Sequence, residues 1–253
     1  MTAVMTVKQV RKVYGGKNEP QFEALHNINF DVEAGEFVGI MGASGSGKTT
    51  LLNILSTLDQ PTAGEVVING QNLAALKGDA LADFRAREIG FIFQDFNLLE
   101  NLTAYDNIAL PLSLQNVAAK KIKPAVAKIA ATLGIDQILT HYPTEISGGQ
   151  KQRVAAARAL VQEPSILMGD EPTGALDSKS AKDLLETMTQ LNEQQHVSIL
   201  LVTHDPFSAS YCQRILFIKD GRIGTELKRG QQTKQEFYQQ ILQVLGRTEQ
   251  GGD

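Results

Sequence analysis

The chain contains a single cysteine, Cys212, and no tryptophan. One cysteine cannot close an intrachain disulfide, so the core alone must hold the fold, and a reducing compartment is the natural setting. No run approaches the roughly 18 consecutive apolar residues of a membrane-spanning helix. The longest buried-looking runs, 37–41, 89–93 and 197–202, have the length of strands. No basic head followed by an apolar stretch is visible at the N-terminus, so no export signal is expected. A protein of this kind that serves a membrane would do so as a peripheral subunit. Positive charge is not in excess either: 24 Lys and Arg against 28 Asp and Glu leave a net charge of −4. That is the wrong sign for a strongly basic nucleic-acid binder. What is present is ordinary for a globular protein, with 42% hydrophobic and 21% charged residues, and excludes a disordered chain. A length of 253 residues suffices for one large domain, or for a core carrying an inserted subdomain.

Hydrophobic periodicity divides the chain into regions. Strands are predicted over 4–14 and 25–32, the second with Ile28, Phe30 and Val32 alternating with Asn29 and Asp31 as a half-exposed antiparallel strand would. Phe37 to Met41 is apolar without alternation, the pattern of a strand buried on both faces. A helix over 48–58, a strand over 65–69, a helix over 79–87 and a strand over 89–93 follow. From 97 to 163 the pattern is almost wholly helical, with Ile122, Val126, Ile129 and Leu133 on one face. Strands return over 165–169, 197–203 and 214–219, the first two separated by a helix bearing Ala181, Leu184, Leu185, Met188 and Leu191. Asp220-Gly221 marks a hairpin. The expected organisation is therefore one α/β domain over 1–227 with a helical subdomain inserted at 97–163. A tail over 228–253 carries Phe237, Ile241, Leu242 and Leu245 at helical spacing and ends in a frayed Gln-Gly-Gly-Asp.

Gly42-Ala43-Ser44-Gly45-Ser46-Gly47-Lys48-Thr49 fits the phosphate-binding pattern G-x-x-x-x-G-K-[ST], with a buried strand before it and a helix containing Thr50 after it. Phosphate needs donors converging from several directions. Glycines let successive backbone N–H groups face one anion, and the helix start adds the positive end of its dipole. Lys48 offers a point charge to the β- and γ-phosphates, and the Thr49 hydroxyl a ligand to Mg²⁺. A second site lies at the end of the apolar run from Ile166, where Asp170 can hold Mg²⁺ and Glu171 can act as general base on water. A third is Ser147-Gly148-Gly149-Gln150, read as an N-cap and the open first turn of a helix. One nucleotide site does not need two phosphate-binding helix starts, so a second chain is expected to use this one.

With these three segments in this order, the chain resembles the ATP-binding subunits of ABC transporters over about residues 4–227. The fold implied is a P-loop NTPase (RecA-like) core with an antiparallel β subdomain and an inserted α-helical subdomain. In the resemblance, 42–49 is the Walker A loop, 147–151 the signature, 166–170 Walker B, and Glu171 the catalytic carboxylate. Gln94 matches the glutamine that senses the metal and the reacting centre, Ala175-Leu176-Asp177 the D-loop, and His204 the switch histidine. Tyr14 falls where the family stacks an aromatic ring on adenine, a core tyrosine being the competing reading.

The resemblance implies ATP and Mg²⁺ as cofactors and an ATP-dependent head-to-tail homodimer. It also implies an integral-membrane permease partner, docked on the segment after Gln94, and a location on the cytoplasmic face of the membrane. The segments 90–99 and 170–178 are similar to those of the branch holding macrolide exporters, lipoprotein-release ATPases and the cell-division ATPase. The segment Met41-Gly-Ala-Ser-Gly45, the run Thr203 to Cys212 and the amphipathic tail resemble bacitracin-type peptide-antibiotic resistance ATPases, whose complexes also inform a sensor histidine kinase. An alternative is an ATPase of a lipoprotein-release, macrolide-export or cell-division complex. ABC proteins acting on DNA or ribosomes need a long coiled-coil insert or two cassettes, neither of which is present. Gly169, before the Walker B aspartate, departs from the alanine or larger residue commoner there.

Overall fold

The computed structural model describes residues 2–16 and 20–250, apart from the side chains of 248–250. The frayed end expected beyond Gln250 lies outside the described residues. In chain order the strands and helices begin with β1 (Ala3–Tyr14), β2 (Phe22–Glu33), β3 (Phe37–Met41), α1 (Lys48–Leu55), β4 (Ala63–Ile68), β5 (Gln71–Asn72), α2 (Asp79–Glu88) and β6 (Ile89–Ile92). The helical region follows as α3 (Ala104–Leu114), α4 (Ala119–Thr132) and α5 (Gly148–Leu160). The chain then returns to α/β order with β7 (Ile166–Asp170), α6 (Ser178–Gln195), β8 (Ser198–Thr203), α7 (Pro206–Ala209), β9 (Arg214–Lys219), β10 (Arg222–Lys228) and α8 (Lys234–Gln250).

Two sheets organise these elements. A four-stranded antiparallel sheet has the order β2-β1-β4-β5, and a six-stranded sheet the order β10-β9-β3-β8-β7-β6. In the larger sheet every pairing is parallel except the β9–β10 hairpin. Its turn places Asp220 at φ 47° and Gly221 at φ 69°, the two left-handed positions that an Asp-Gly pair supplies cheaply. The uninterrupted apolar run of β3 has its expected cause. Val38 and Ile40 join a core shared with the antiparallel sheet and α1, while Phe37 and Met41 join a second core under α5, α6 and α8. In β2 the predicted alternation holds, with Ile28, Phe30 and Val32 buried between exposed Asn29 and Asp31.

The helical region differs from its expected start. Residues 97–103 are not helical: Phe96 and Asn97 stand at φ 60° and 47°, and Arg158 donates to both their carbonyls, which removes those groups from any helix. Helix α3 begins only at Ala104, where the Thr103 hydroxyl accepts from Asp106 N–H as an N-cap. Fully buried Asn107 then closes the preceding loop by bonding Leu99, Leu102 and Thr103 backbone atoms. On α4 Val126 is buried, as is Leu133 at its C-cap, and Ile122 and Ile129 pack partly against the same core, as their spacing predicts. The tail is a helix docked on the second core: Phe237 and Ile241 are fully buried, and Leu245 packs partly against it. Leu242 does not join this face. It is 37% exposed, because a residue next to Ile241 is turned about 100° around the helix axis.

Candidate active site

Parallel order decides which loops meet. Adjacent β3, β8, β7 and β6 all end on the same edge of the sheet, so the segments following them lie side by side, at the carboxyl edge where open α/β sheets bind ligands. These segments are 42–47, His204, Asp170 with Glu171, and Gln94.

A cavity of about 720 Å³ opens there, lined by Ser44, Gly45, Gly47, Lys48, Thr49 and Thr50 on one side and by Glu171 and His204 on the other. Gly42 and Ser46 line an adjoining hollow of about 340 Å³, which shares Ser44, Gly45 and His204 with the first and which Leu245 of α8 also lines. The loop is drawn tightly onto the sheet. A Cβ on Gly42 would stand 2.2 Å from the Ile218 carbonyl oxygen, and Gly47 sits at φ 103°. Only glycine satisfies both conditions. The Lys48 ammonium folds back to donate to the carbonyls of Gly42 and Ala43, each at 2.8 Å. Burial lowers its pKa, with the charges of Glu171 and Asp170 opposing that shift. The Asp170 carboxyl is pushed up by burial and by Glu171, and partly drawn back by Lys48. Charge is therefore concentrated and poorly solvated at this edge.

Glu171 holds an unusual backbone, at φ 45°, fixed by its N–H donating to Val202 O at 2.9 Å and by Gly174 N–H donating to its carbonyl at 2.9 Å. Its Oε1 lies 2.7 Å from His204 Nδ1. The Gln94 side chain lies against Gly174, within 3.3 Å of where a Cβ on that glycine would stand, and so borders the same turn. Gly169 has a local reason: the Pro172 ring sits 3.2 Å from the position its Cβ would take, so the space a larger residue would fill is already occupied.

The residues present fit a nucleotide triphosphate. Ser46 Oγ is buried without a hydrogen-bond partner, and Gly45, at φ 78°, faces open space. Among the described residues Lys48 donates to carbonyls of its own loop, which it can leave for phosphate oxygens. A metal ion fits only together with that nucleotide. Among the described residues no three His, Cys, Asp or Glu side chains cluster to hold one, so Thr49 and Asp170 would supply a minority of its ligands.

Ser147 to Gln150 form a reciprocal capping box, with Gln150 N–H donating to Ser147 Oγ and Ser147 N–H to Gln150 Oε1. None of these residues lines the phosphate cavity. Tyr14 does not line it either. The core-tyrosine reading is also wrong, since the ring is 40% exposed and its hydroxyl donates to Asp59 at 2.9 Å. Lys12 lies over the ring, 4.7 Å from its centroid. Phe22, paired across the sheet with Tyr14, does line the cavity and is 64% exposed. Sequence reasoning missed Phe22 because its place beside the loop follows only from strand register.

The ABC transporter family matches residues 25–174, which span the phosphate loop, the capped start of α5 and the Asp170-Glu171 pair. The chain belongs to this family. Over 97% of its length and 94% of the other, this ABC protein is 51% identical to the ABC transporter ATP-binding protein YxdL of Bacillus subtilis. It is also 51% identical to the bacitracin export ATP-binding protein BceA of Halalkalibacterium halodurans, over 96% of both chains. Among solved structures it is similar to the ATP-binding cassette MJ0796, captured as a dimer bound to ADP and Pi. The TM-score is 0.79 and the identity 40%, over 88% of this chain and 98% of that one. The protein is thus the ATP-binding subunit of an ABC transporter, an ATPase whose hydrolysis powers transport. No helix among its described residues is long and apolar enough to cross a membrane.

Proposed function

We propose that this subunit drives a membrane permease conferring resistance to bacitracin-like peptide antibiotics. The observation carrying this reading is the 51% identity to a bacitracin export ATP-binding protein along nearly the whole chain, including the C-terminal helix outside the matched family segment. In this reading the 42–47 amides, Lys48, Ser46 and Thr50 hold the phosphates, Phe22 takes the place at the base that the resemblance gave to Tyr14, and Thr49, Asp170 and Gln94 hold Mg²⁺. The metal with its nucleotide supplies charge neutralisation at the transferring phosphoryl group. Glu171 takes the proton of the attacking water, and His204, hydrogen-bonded to it, keeps the carboxylate aimed.

The second half of the site comes from another copy of the chain. None of the residues at the capped start of α5 lines the cavity of its own chain, which supports a head-to-tail dimer with Ser147, Gly148, Gly149 and Gln150 closing over the partner's nucleotide. The permease docks on the exposed segment after Gln94. The subunit therefore works on the cytoplasmic face, and any sensor histidine kinase is reached through the permease. The test is co-purification with the membrane partner, followed by ATPase measurement. Stimulation by bacitracin and not by a macrolide is expected. Stimulation by a macrolide, or by a lipoprotein alone, would favour the export or release branches instead.

A further inference from the structure

Helix α5 makes one contact that plays no part in nucleotide binding or hydrolysis as proposed for Lys48, Glu171 and His204. Gln152 is fully buried, and its Nε2 donates to the Pro172 carbonyl at 2.7 Å, while its Oε1 is buried without a partner. A core position that served packing alone would be filled more favourably by an apolar side chain, since half of this amide is left unsatisfied. The other half reaches the residue next to Glu171.

The turn it grips holds Glu171 in a left-handed conformation that a non-glycine residue adopts only under restraint. Three restraints flank it. Glu171 N–H is tied to β8 through Val202 O, Gly174 N–H closes onto Glu171 O, and the Thr173 and Ser208 hydroxyls pair at 2.9 Å in the core. Pro172 cannot donate a backbone hydrogen bond, so its carbonyl is the one handle it offers. Gln152 takes that handle, from the helix whose first turn carries Ser147 to Gln150.

We propose that Gln152 is a positioning residue for Glu171, its amide holding the 170–174 turn so that the carboxylate points into the phosphate cavity. Displacement of α5 by a nucleotide bound at its start is thereby passed to the catalytic carboxylate of the same chain. This inference rests on Glu171 being the general base.

The test is a double-mutant cycle in the full-length protein, alone and with its permease. Gln152→Met keeps the side chain's length and removes the donor; it is expected to lower kcat about tenfold with KM for ATP and ATP-driven dimerisation unchanged. In a Glu171→Gln background the same change should leave the residual rate unaltered, since both act through one carboxylate. A multiplicative loss in the double variant, an unchanged kcat, or a loss seen in KM alone would overturn the proposal while leaving the base intact. A near wild-type rate for Glu171→Gln would overturn the base, and the positioning role with it. Should Gln152→Met fail to fold, Gln152→Asn, one methylene too short to reach the carbonyl, gives the same comparison.

Discussion

Lys48 and Glu171 line one cavity, and since the proposed mechanism has them act at different stages, their removal should give opposite signatures. Lys48→Ala deletes the ammonium that can leave two backbone carbonyls for phosphate, so nucleotide binding and dimerisation should both fail. Glu171→Gln keeps size and hydrogen bonding but removes the proposed base, at an expected cost of roughly 10²–10⁴ in rate. Binding should survive, and size-exclusion chromatography with Mg²⁺ and ATP should show a lasting dimer. Asp59 allows a second prediction at this scale. Burial alone would raise its pKa, but hydrogen bonds from Lys12, the Gln60 N–H and the Tyr14 hydroxyl together hold it below the ordinary aspartate value. A depressed carboxyl contributes stability above its unfolded pKa and loses it as the pH falls through the folded value. Asp59→Asn should therefore lower stability at neutral pH by about 1 kcal/mol or less, this pair being partly exposed, and the deficit should vanish in acid. Thermal melts across that pH range check the sign.

The tail helix and the loop after Gln94 differ in what anchors them. Helix α8 is held by Phe237 and Ile241, both fully buried, and by Lys234 stacked 4.0 Å over the Tyr211 ring. Truncation after Gly230 uncovers the surface beneath, and losing two large apolar side chains from the core should cost about 3–6 kcal/mol. A melting curve of the truncated chain at wild-type temperature would show the helix to be dispensable. The loop after Gln94 is instead held by polar staples, Arg158 at 96–97 and Asn107 at 99–103. Within it Asp95 is exposed, whereas Asp106 accepts the Thr103 hydroxyl at the start of α3. Charge reversal at Asp95 should impair permease-coupled activity and spare the isolated subunit. At Asp106 it should also loosen the helix, so only Asp95 reports on docking alone.

For the assembled molecule, the decisive feature is that no residue of the capped start of α5 lines the cavity of its own chain. Ser147→Asp preserves the cap, aspartate being as good an N-cap as serine, and adds negative charge where the partner's γ-phosphate would approach. ATP affinity of the monomer should be unchanged, and ATP-driven dimerisation should be lost. Equal weakening of both would mean that the segment serves its own site after all.

Much of this molecule was legible in its residues because the signals are local. Loop 42–49 carries its glycines, lysine and threonine within eight residues, the strands 37–41 and 166–169 declare double-sided burial by largely apolar runs, and Asp220-Gly221 names its own turn. Capping chemistry at Ser147 is equally short-ranged. Proximity across the chain was decided only by tertiary structure. Strand register set Phe22 beside the phosphate loop and left Tyr14 tethered to Asp59. The side chains of Arg158 and Asn107 kept 97–103 out of the helix that its composition suggested. The link from Gln152 to Pro172 depends on a helix and a strand end brought together by the sheet order, and no periodicity in the sequence encodes such a contact. Local patterns choose backbone conformations within a few residues, whereas contacts between distant segments are selected by which arrangement buries the apolar faces together.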